Sequence, residues 1–291
     1  MKKYINKILC FGTSFTAGGG FEFHLNNNLK QYYSKYNEEL TRENFSWPGR
    51  LQKLNPNINI INYGKCGYGN ERLYRIAFDE ISKSNNENTL FIFEFSHLGR
   101  KEYYHNDSKE YFITNYHWKN SDGGDTHTCS QISIDEKVNI HGITHDYHYN
   151  NSKIDDNISR DYSIIKEFNE KTINCENQLT ELSINILTFL SFCENNNINY
   201  LISAAPPLMD NTFNSYQKFV DKEVEYNYSN LIKNTGDMVG FIINNKLTIT
   251  DETSHFIEDY HGGMLANTLI AKSINNRIDS DYNINPKSKY I

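Results

Sequence analysis

The chain has 291 residues, 38% of them hydrophobic, and a formal net charge of −7, which is length enough for one domain carrying a large insertion or for two modest domains. An acidic balance without a basic block or Arg-rich stripe argues against a nucleic-acid partner, and no stretch reaches the ~20 apolar residues that cross a bilayer. Five cysteines, odd in number and scattered, do not make a disulfide framework, and with no leader pattern after Lys2 and Lys3 the expected location is cytoplasmic.

Ile5 to Phe11 reads as the first strand, its near-continuous apolar run suiting a parallel strand covered on both faces. It runs into Gly12-Thr13-Ser14, a tight turn with a hydroxyl at its tip. After Gly18-Gly19-Gly20, the segment Phe21 to Tyr36 has helical spacing, with Phe23, Leu25, Leu29 and Tyr32 or Tyr33 inward. Trp47-Pro48-Gly49-Arg50-Leu51 opens a short helix. Ile58 to Tyr63 is a second strand, ended by Gly64. Asn70 to Ser82 is a helix with Leu73, Ile76, Ala77, Phe78 and Ile81 as its apolar stripe, and Thr89 to Phe95 is the third strand.

From Gly99 to about Arg160 the periodicity breaks down into a polar, Tyr- and His-rich region, too long for a structureless loop. Residues 101–160 are therefore expected to hold elements of their own or to form a cap. Helical spacing returns between Asp161 and Glu194 as one helix or two, and a fourth strand, Asn199 to Ala205, is stopped by Pro206-Pro207. A helix follows from Thr212 to Ile232, then a short strand or helical turn at Phe241-Ile242-Ile243, then a last helix from Met264 to Arg277. Residues 278–291 read as a surface tail. Cys10 falls in a strand pattern and Cys175 and Cys193 on helical ones, so they are read as reduced packing residues.

This alternation, without a repeat, predicts a single domain over 1–291. Its expected architecture is a three-layer α/β/α sandwich with a mostly parallel sheet. In such folds sites form beyond the carboxyl ends of the strands. Ser14, Gly67 to Asn70, Ser96 to Arg100 and Pro206 to Asp210 each follow an apolar strand, which puts four candidate loops on one rim.

Ser14, Asp259 and His261 are the groups that a serine-nucleophile acyl transfer needs. His261 can accept the proton of Ser14 while Asp259 holds the imidazole tautomer, with Glu258 as the rival acid. Gly12 lets the backbone bend closely before Ser14. Gly262 and Gly263 allow close approach after His261, a context that the rival base His255 lacks. The bland alternatives are that Ser14 caps the next helix and that Asp259-Tyr260-His261 is an exposed turn.

With these blocks in order the chain resembles the SGNH, or GDSL-type, hydrolase superfamily. Gly12-Thr13-Ser14-Phe15 stands for its first block, and Asn62-Tyr63-Gly64-Lys65-Cys66-Gly67-Tyr68-Gly69-Asn70 for the second, with Gly67 the better matching glycine. Asp259 or Glu258 with His261 stands for the last. The resemblance implies that Ser14 is the nucleophile and that the amides of Ser14 and Gly67 help to form the oxyanion hole. The family's third donor is an Asn from a Gly-x-Asn-Asp block after strand three. Here that block reads Phe93-Glu94-Phe95-Ser96-His97-Leu98-Gly99-Arg100, without the Asn. Ser96 or Asn70 is the substitute donor, and the Ser-x-x-x-Arg spacing is similar to divergent phage- and virus-type relatives. Arg100 is open to two readings: a clamp on an anionic substrate, or a salt bridge to Glu94 or Glu102.

In the insertion, His127, His141, His145, Asp146 and His148 offer enough ligands for a metal. They lack a firm helical pattern and cysteine partners, so surface or cap packing is the favoured reading and no metal is expected. Tyr103, Tyr104, Tyr111, Tyr116, Trp118 and Tyr147 line a sugar-binding cleft or pack as ordinary surface, with Arg100, Tyr103 and Trp118 as the candidate substrate contacts. Gly18-Gly19-Gly20 lacks the Gly-Lys-Ser/Thr of a phosphate loop, so no cofactor is expected. The leading expectation is a serine ester hydrolase acting on a small-molecule or glycan O-acyl ester. A carbohydrate O-acyltransferase and a noncatalytic glycan- or protein-binding module are the alternatives. Neither nucleic acid nor membrane is an expected partner, and a homo-oligomer is compatible with the sequence.

Overall fold

In the computed structural model the first apolar run is two strands rather than one, β1 (Lys3–Ile5) and β2 (Lys7–Phe11). The structure describes residues 2–19, 21, 41–65, 68–83, 86–96, 100–105, 110–115, 133–134, 175–205, 216–226, 234–235, 238, 242, 245 and 262–284. For 100–105, 110–115, 133–134, 175–179, 234–235 and 264 it describes the backbone alone. The break falls at Asn6, where the N–H groups of Asn6 and Lys7 both turn to the Asn88 carbonyl, at 3.0 and 3.4 Å. Past β2 lie the short helices α1 (Ser14–Ala17) and α2 (Arg42–Phe45), then α3 (Trp47–Leu54). Ser46 caps α3: its hydroxyl oxygen accepts from the Gly49 N–H at 3.3 Å, and Pro48 sits in the first turn, where a missing donor costs nothing. The chain continues through β3 (Asn59–Asn62), α4 (Asn70–Lys83) and β4 (Thr89–Glu94).

The predicted insertion contains β5 (Arg100–His105), β6 (Glu110–Asn115) and β7 (Ser133–Ile134), an antiparallel sheet in which Arg100 pairs with Asn115 and Tyr103 with Phe112. Next come α5 (Cys175–Asn195) and β8 (Asn199–Ala204). The Phe21–Tyr36 segment beyond Phe21, the rest of 101–160 and the first part of the Asp161–Glu194 reading lie outside the described residues.

Strands β3, β2, β4 and β8 form one parallel sheet in that spatial order, with Ile8 opposite both Ile60 and Leu90, and Ile92 opposite Leu201. The period-two alternation of a strand sorts the side chains to two faces. Ile8, Cys10, Leu90, Ile92 and Leu201 pack with Trp47 and Leu51 of α3 and with Ala266, Leu269, Ile270, Ile274 and Ile278 of the last helix, α6 (Met264–Asp281). Leu9, Phe11, Phe91, Phe93, Tyr200 and Ile202 pack on the other side with Leu73 and Ala77 of α4 and Ile186, Phe189, Leu190 and Cys193 of α5. The result is a layered α/β/α arrangement. Its second core is aromatic: Phe11 stacks on Phe91 at 5.9 Å and Phe93 meets Phe189 edge-on at 5.0 Å, geometry that adds about 0.5–1.5 kcal/mol per pair beyond burial. Phe78, read as part of the α4 stripe, is 41% exposed, though its ring still meets Phe192 edge-on at 4.8 Å. Cys10 and Cys193 are free and buried; burial pushes both thiols up, that of Cys193 to about 12.

Two expectations are corrected. Over 216–226, the described residues of the helix expected at Thr212–Ile232, no α-helix is formed: a 3-10 helix, Gln217–Lys222, gives way at Glu223 to a parallel bridge with Ile202. The Val224 N–H then bonds the Ile202 carbonyl at 2.8 Å, and β9 (Glu225–Tyr226) pairs antiparallel with β10 (Asn234–Thr235). Val224 and Tyr226 alternate into the core and the Tyr226 hydroxyl donates to the Ser203 carbonyl at 2.5 Å, so tertiary pairing overrides the helical spacing. Met238 and Ile242, one turn apart, are helical and buried.

The second correction concerns residues 278–284 of the surface tail read over 278–291, of which 285–291 lie outside the described residues. Helix α6 runs on to Asp281, Ile278 is fully buried, and β11 (Tyr282–Ile284) pairs in parallel with β1, Lys3 opposite Tyr282. This pairing also orients α6. Its last turns lie where β2 begins, and Asn55, just ahead of β3, donates to Asn275 at 2.7 Å. Over 18 residues the helix is about 27 Å long, so its first turn, led by Gly262-Gly263, lies toward the edge where the parallel strands end.

Candidate active site

Ser14 stands at the carboxyl end of an inner strand of the parallel sheet. It is the first residue of α1 and is 6% exposed. Thr13, not Ser14, is the N-cap, so Ser14 is not the cap of the next helix. The Thr13 hydroxyl does not turn to the helix either: it donates to Glu94 Oε1. The Thr16 N–H, the third amide of α1, which an N-cap oxygen ordinarily takes, donates to Glu94 Oε2 at 2.7 Å, and the Thr16 hydroxyl donates to the same oxygen. A carboxylate at the end of the neighbouring strand thus does the work of the cap.

Glu94 reaches this position through strand periodicity. It continues the Leu90–Ile92 face of β4, and Gly12 continues the Ile8–Cys10 face of β2 beside it. A Cβ on Gly12 would lie 2.5 Å from Glu94 Oε2 and 2.7 Å from Glu94 Cβ. Gly12 is therefore required for the space it leaves. Glu94 is 2% exposed; burial pushes its carboxyl above the usual range, and the hydroxyl and backbone donors of Thr13 and Thr16 oppose that rise without cancelling it. The Glu94 carboxylate accepts from Thr13 and Thr16; of Arg100, the salt-bridge partner that the sequence offers it, the backbone alone is described.

The loop after β3 closes on the same turn. Asn62 Nδ2 donates to the Thr16 carbonyl at 2.8 Å, while its Oδ1 accepts from the Gly64 N–H at 2.8 Å, and the Lys65 N–H donates to the Gly12 carbonyl at 3.1 Å. Gly64 packs so closely that a Cβ there would lie 2.5 Å from the Ala17 nitrogen. Arg72 of α4 donates to the Tyr63 carbonyl at 2.8 Å and stacks over Tyr68 at 5.0 Å, with Lys65 Nζ 4.7 Å from the same ring. Burial, together with Glu80, pushes the Tyr63 phenol up to about 12. Gly67, between these anchors, lies outside the described residues.

Asn70 and Ser96 meet. The Ser96 N–H donates to Asn70 Oδ1 at 2.7 Å and Asn70 Nδ2 donates back to the Ser96 carbonyl at 3.1 Å, both residues being buried. This pair ties the start of α4 to the end of β4, with one of the two Nδ2 hydrogens committed to it.

Asp259, Glu258, His261 and the rival His255 lie outside the described residues, as do Trp118, Pro206 to Asp210 and the histidines of the insertion. For Arg100 and Tyr103 the backbone alone is described. The residues just after His261 are held firmly: Asn267 Nδ2 donates to the carbonyls of Gly262 and Gly263 at 3.1 and 3.2 Å, and its N–H donates to the Gly263 carbonyl at 3.0 Å. Among the described residues no group of three or more His, Cys, Asp or Glu side chains could hold a metal, and no helix is long and apolar enough to cross a membrane.

The sequence reading did not give Glu94, Thr13, Thr16 and Asn62 a part in shaping the turn. The available signal was a single carboxylate closing the apolar run Thr89-Leu90-Phe91-Ile92-Phe93, with a glycine where the neighbouring strand would need room for it.

No protein-family model matches the chain, and no curated protein matches it. A solved structure that does match is a protein from Desulfitobacterium hafniense DCB-2, provisionally described as lipolytic and of the G-D-S-L family. The match covers 94% of this chain and 99% of that one, at 11% identity and a TM-score of 0.38. A likeness at that level carries no residue-by-residue correspondence.

Proposed function

We propose that the protein is a serine ester hydrolase of the SGNH type, acting on O-acyl esters that are carbohydrate-linked. Ser14 attacks the acyl carbonyl, His261 takes its proton and returns it to the leaving alcohol, and Asp259, or Glu258 in its place, holds the imidazole tautomer. Water activated by His261 then releases the acyl group from Ser14. The tetrahedral oxyanion receives the amides of Ser14 and Gly67 and a third donor from Ser96 or Asn70. One such donor contributes about 3 kcal/mol at the transition state, so the missing family Asn has to be replaced for ordinary turnover.

The observation that supports this reading best is the setting of Ser14: a hydroxyl at the carboxyl end of an inner parallel strand, with the backbone around it held from both neighbouring strands. The direction of α6, which starts toward the same edge just after His261, agrees with it. Arg100, Tyr103 and Trp118 are the substrate contacts we assign to the polar, aromatic insertion.

Turnover of a short arylester by the wild type and by Ser14→Ala tests the proposal. Release of the aryl alcohol by the wild type, abolished in Ser14→Ala, is expected. Wild-type inactivity across short acyl esters with retained glycan binding would assign the fold to a binding module instead. Consumption of acyl donor only when a sugar acceptor is present would make the enzyme a transferase.

A further inference from the structure

Glu94 is not a member of the proposed catalytic trio, yet its carboxylate spans the backbone that carries Ser14. Oxygen Oε1 accepts from the Thr13 hydroxyl on one side of Ser14, and Oε2 accepts from the Thr16 N–H, at 2.7 Å, and hydroxyl on the other. The bonds reach across the sheet from the last residue of β4 to a turn roughly eighty positions earlier in the chain, |i−j| being 81 and 78. A carboxylate offers about four acceptor sites on two oxygens and no donor when ionised, which suits a cluster that presents only N–H and O–H groups. The site is also built around it: Gly12 leaves the volume that the carboxylate fills, and Glu94 is 2% exposed. A buried charge is costly to keep, and a sheet-facing apolar residue would pack here without that cost. What the apolar residue cannot do is fix two points of a short turn at once.

We infer that Glu94 is a positioning residue for the Ser14 hydroxyl: by clamping Thr13 and Thr16 it sets the backbone between them, and with it the direction from which Ser14 meets an acyl carbonyl. The inference rests on the reading of Ser14 as the nucleophile. Its consequence is kinetic. Misplacement of a nucleophile by about an ångström can cost 100-fold in rate. Because the substrate contacts lie elsewhere, the loss falls on kcat and leaves KM in place.

The test uses the full chain, a short arylester for kcat and KM, and a fluorophosphonate for the rate of covalent labelling of Ser14 identified by peptide mass. Glu94→Gln keeps the shape but replaces one acceptor oxygen by an NH2 group, so it can satisfy only part of the cluster. Thr13→Val removes the hydroxyl that meets Oε1 without changing shape, and Thr13→Ser restores it. Each variant is compared below its own unfolding midpoint. The expected result is a fall in kcat and in labelling rate of about 10- to 100-fold for Glu94→Gln and Thr13→Val, with KM unchanged and Thr13→Ser close to the wild type. Should Glu94→Gln fail to fold, the Thr13 pair decides the matter. Wild-type labelling at Ser14, abolished in Ser14→Ala but equally fast in folded Glu94→Gln and Thr13→Val, would overturn this inference and leave the nucleophile standing. No label at Ser14 in the wild type would overturn both.

Discussion

Replacing Gly12 by alanine adds one methyl group at the most crowded point between β2 and β4. The added Cβ would lie 2.5 Å from Glu94 Oε2 and 2.7 Å from Glu94 Cβ, and closer still to the Thr16 hydroxyl. None of these neighbours is the far end of a free side chain. Glu94 is pinned by Thr13 and Thr16, and its Cβ belongs to a central strand. Overpacking of this kind costs about 1–3 kcal/mol. Displacing Oε2 also weakens its two hydrogen bonds from Thr16, each contributing about 0.5–1.5 kcal/mol. We therefore expect Gly12→Ala to lose about 3–5 kcal/mol, a large share of the roughly 5–15 kcal/mol of an ordinary domain. Urea denaturation measures it as a lower midpoint with an unchanged slope. In a Glu94→Ala background the carboxylate and its bonds to Thr16 are already gone, while the residue-94 Cβ and Thr16 remain, so the cost of Gly12→Ala should fall by about 1–3 kcal/mol, the signature of coupled neighbours. A single-mutant loss below about 1 kcal/mol, or an equal loss in both backgrounds, would refute the account of Gly12 as room for the carboxylate.

Asn70→Leu removes both bonds to the Ser96 backbone and leaves a buried N–H and C=O to be satisfied elsewhere, so a loss of about 2–3 kcal/mol in urea denaturation is expected; an unchanged midpoint would contradict it. The carboxyl of Glu94 is raised above its ordinary 4.5, mainly by burial, so folding binds a proton there. Its contribution to stability is fully present below pH 4.5 and is lost as pH rises through the raised value. The stability of the wild type minus that of Glu94→Gln should therefore decline with rising pH from that point, and a difference that grows would show that the threonine donors outweigh burial. A chain ended at Asp281 lacks β11 and should be about 2 kcal/mol less stable than one ended at Ile284, because Tyr282 and the parallel pairing with β1 are lost; equal midpoints would return these residues to the surface.

β2, β4 and β8 of the parallel sheet were legible as short apolar runs buried on both faces, whereas the edge strand β3 is half-exposed. Thr89 to Glu94 is buried at every position. Helix α4 was equally plain from Leu73 and Ala77, and Phe78 of its stripe, though 41% exposed, sets its ring edge-on to Phe189 and Phe192 of α5. What sequence could not show was pairing at long range. Nothing local says that Lys3–Ile5 will lie beside Tyr282–Ile284, or that Val224 and Tyr226 will be drawn into strand geometry by Ile202 and Ser203. In the site, Ser14 stood out by its chemistry and its place after a strand. Glu94 did not, because its meaning depends on Gly12 and Thr13 sitting across the sheet from it. Asn70 and Ser96 were singled out separately as donors, and their mutual pairing becomes visible only once α4 is packed against the end of β4.

The central claim is that the Ser14 hydroxyl is activated by His261, and covalent labelling tests it most directly. The full-length protein is treated with a fluorophosphonate, and the adduct is located by peptide mass in the wild type, Ser14→Ala and His261→Ala. The account predicts one adduct, on Ser14, absent in Ser14→Ala and formed at least about 100-fold more slowly in His261→Ala, the scale of a lost general base. An adduct on another serine, or labelling of Ser14 at the same rate without His261, would contradict it.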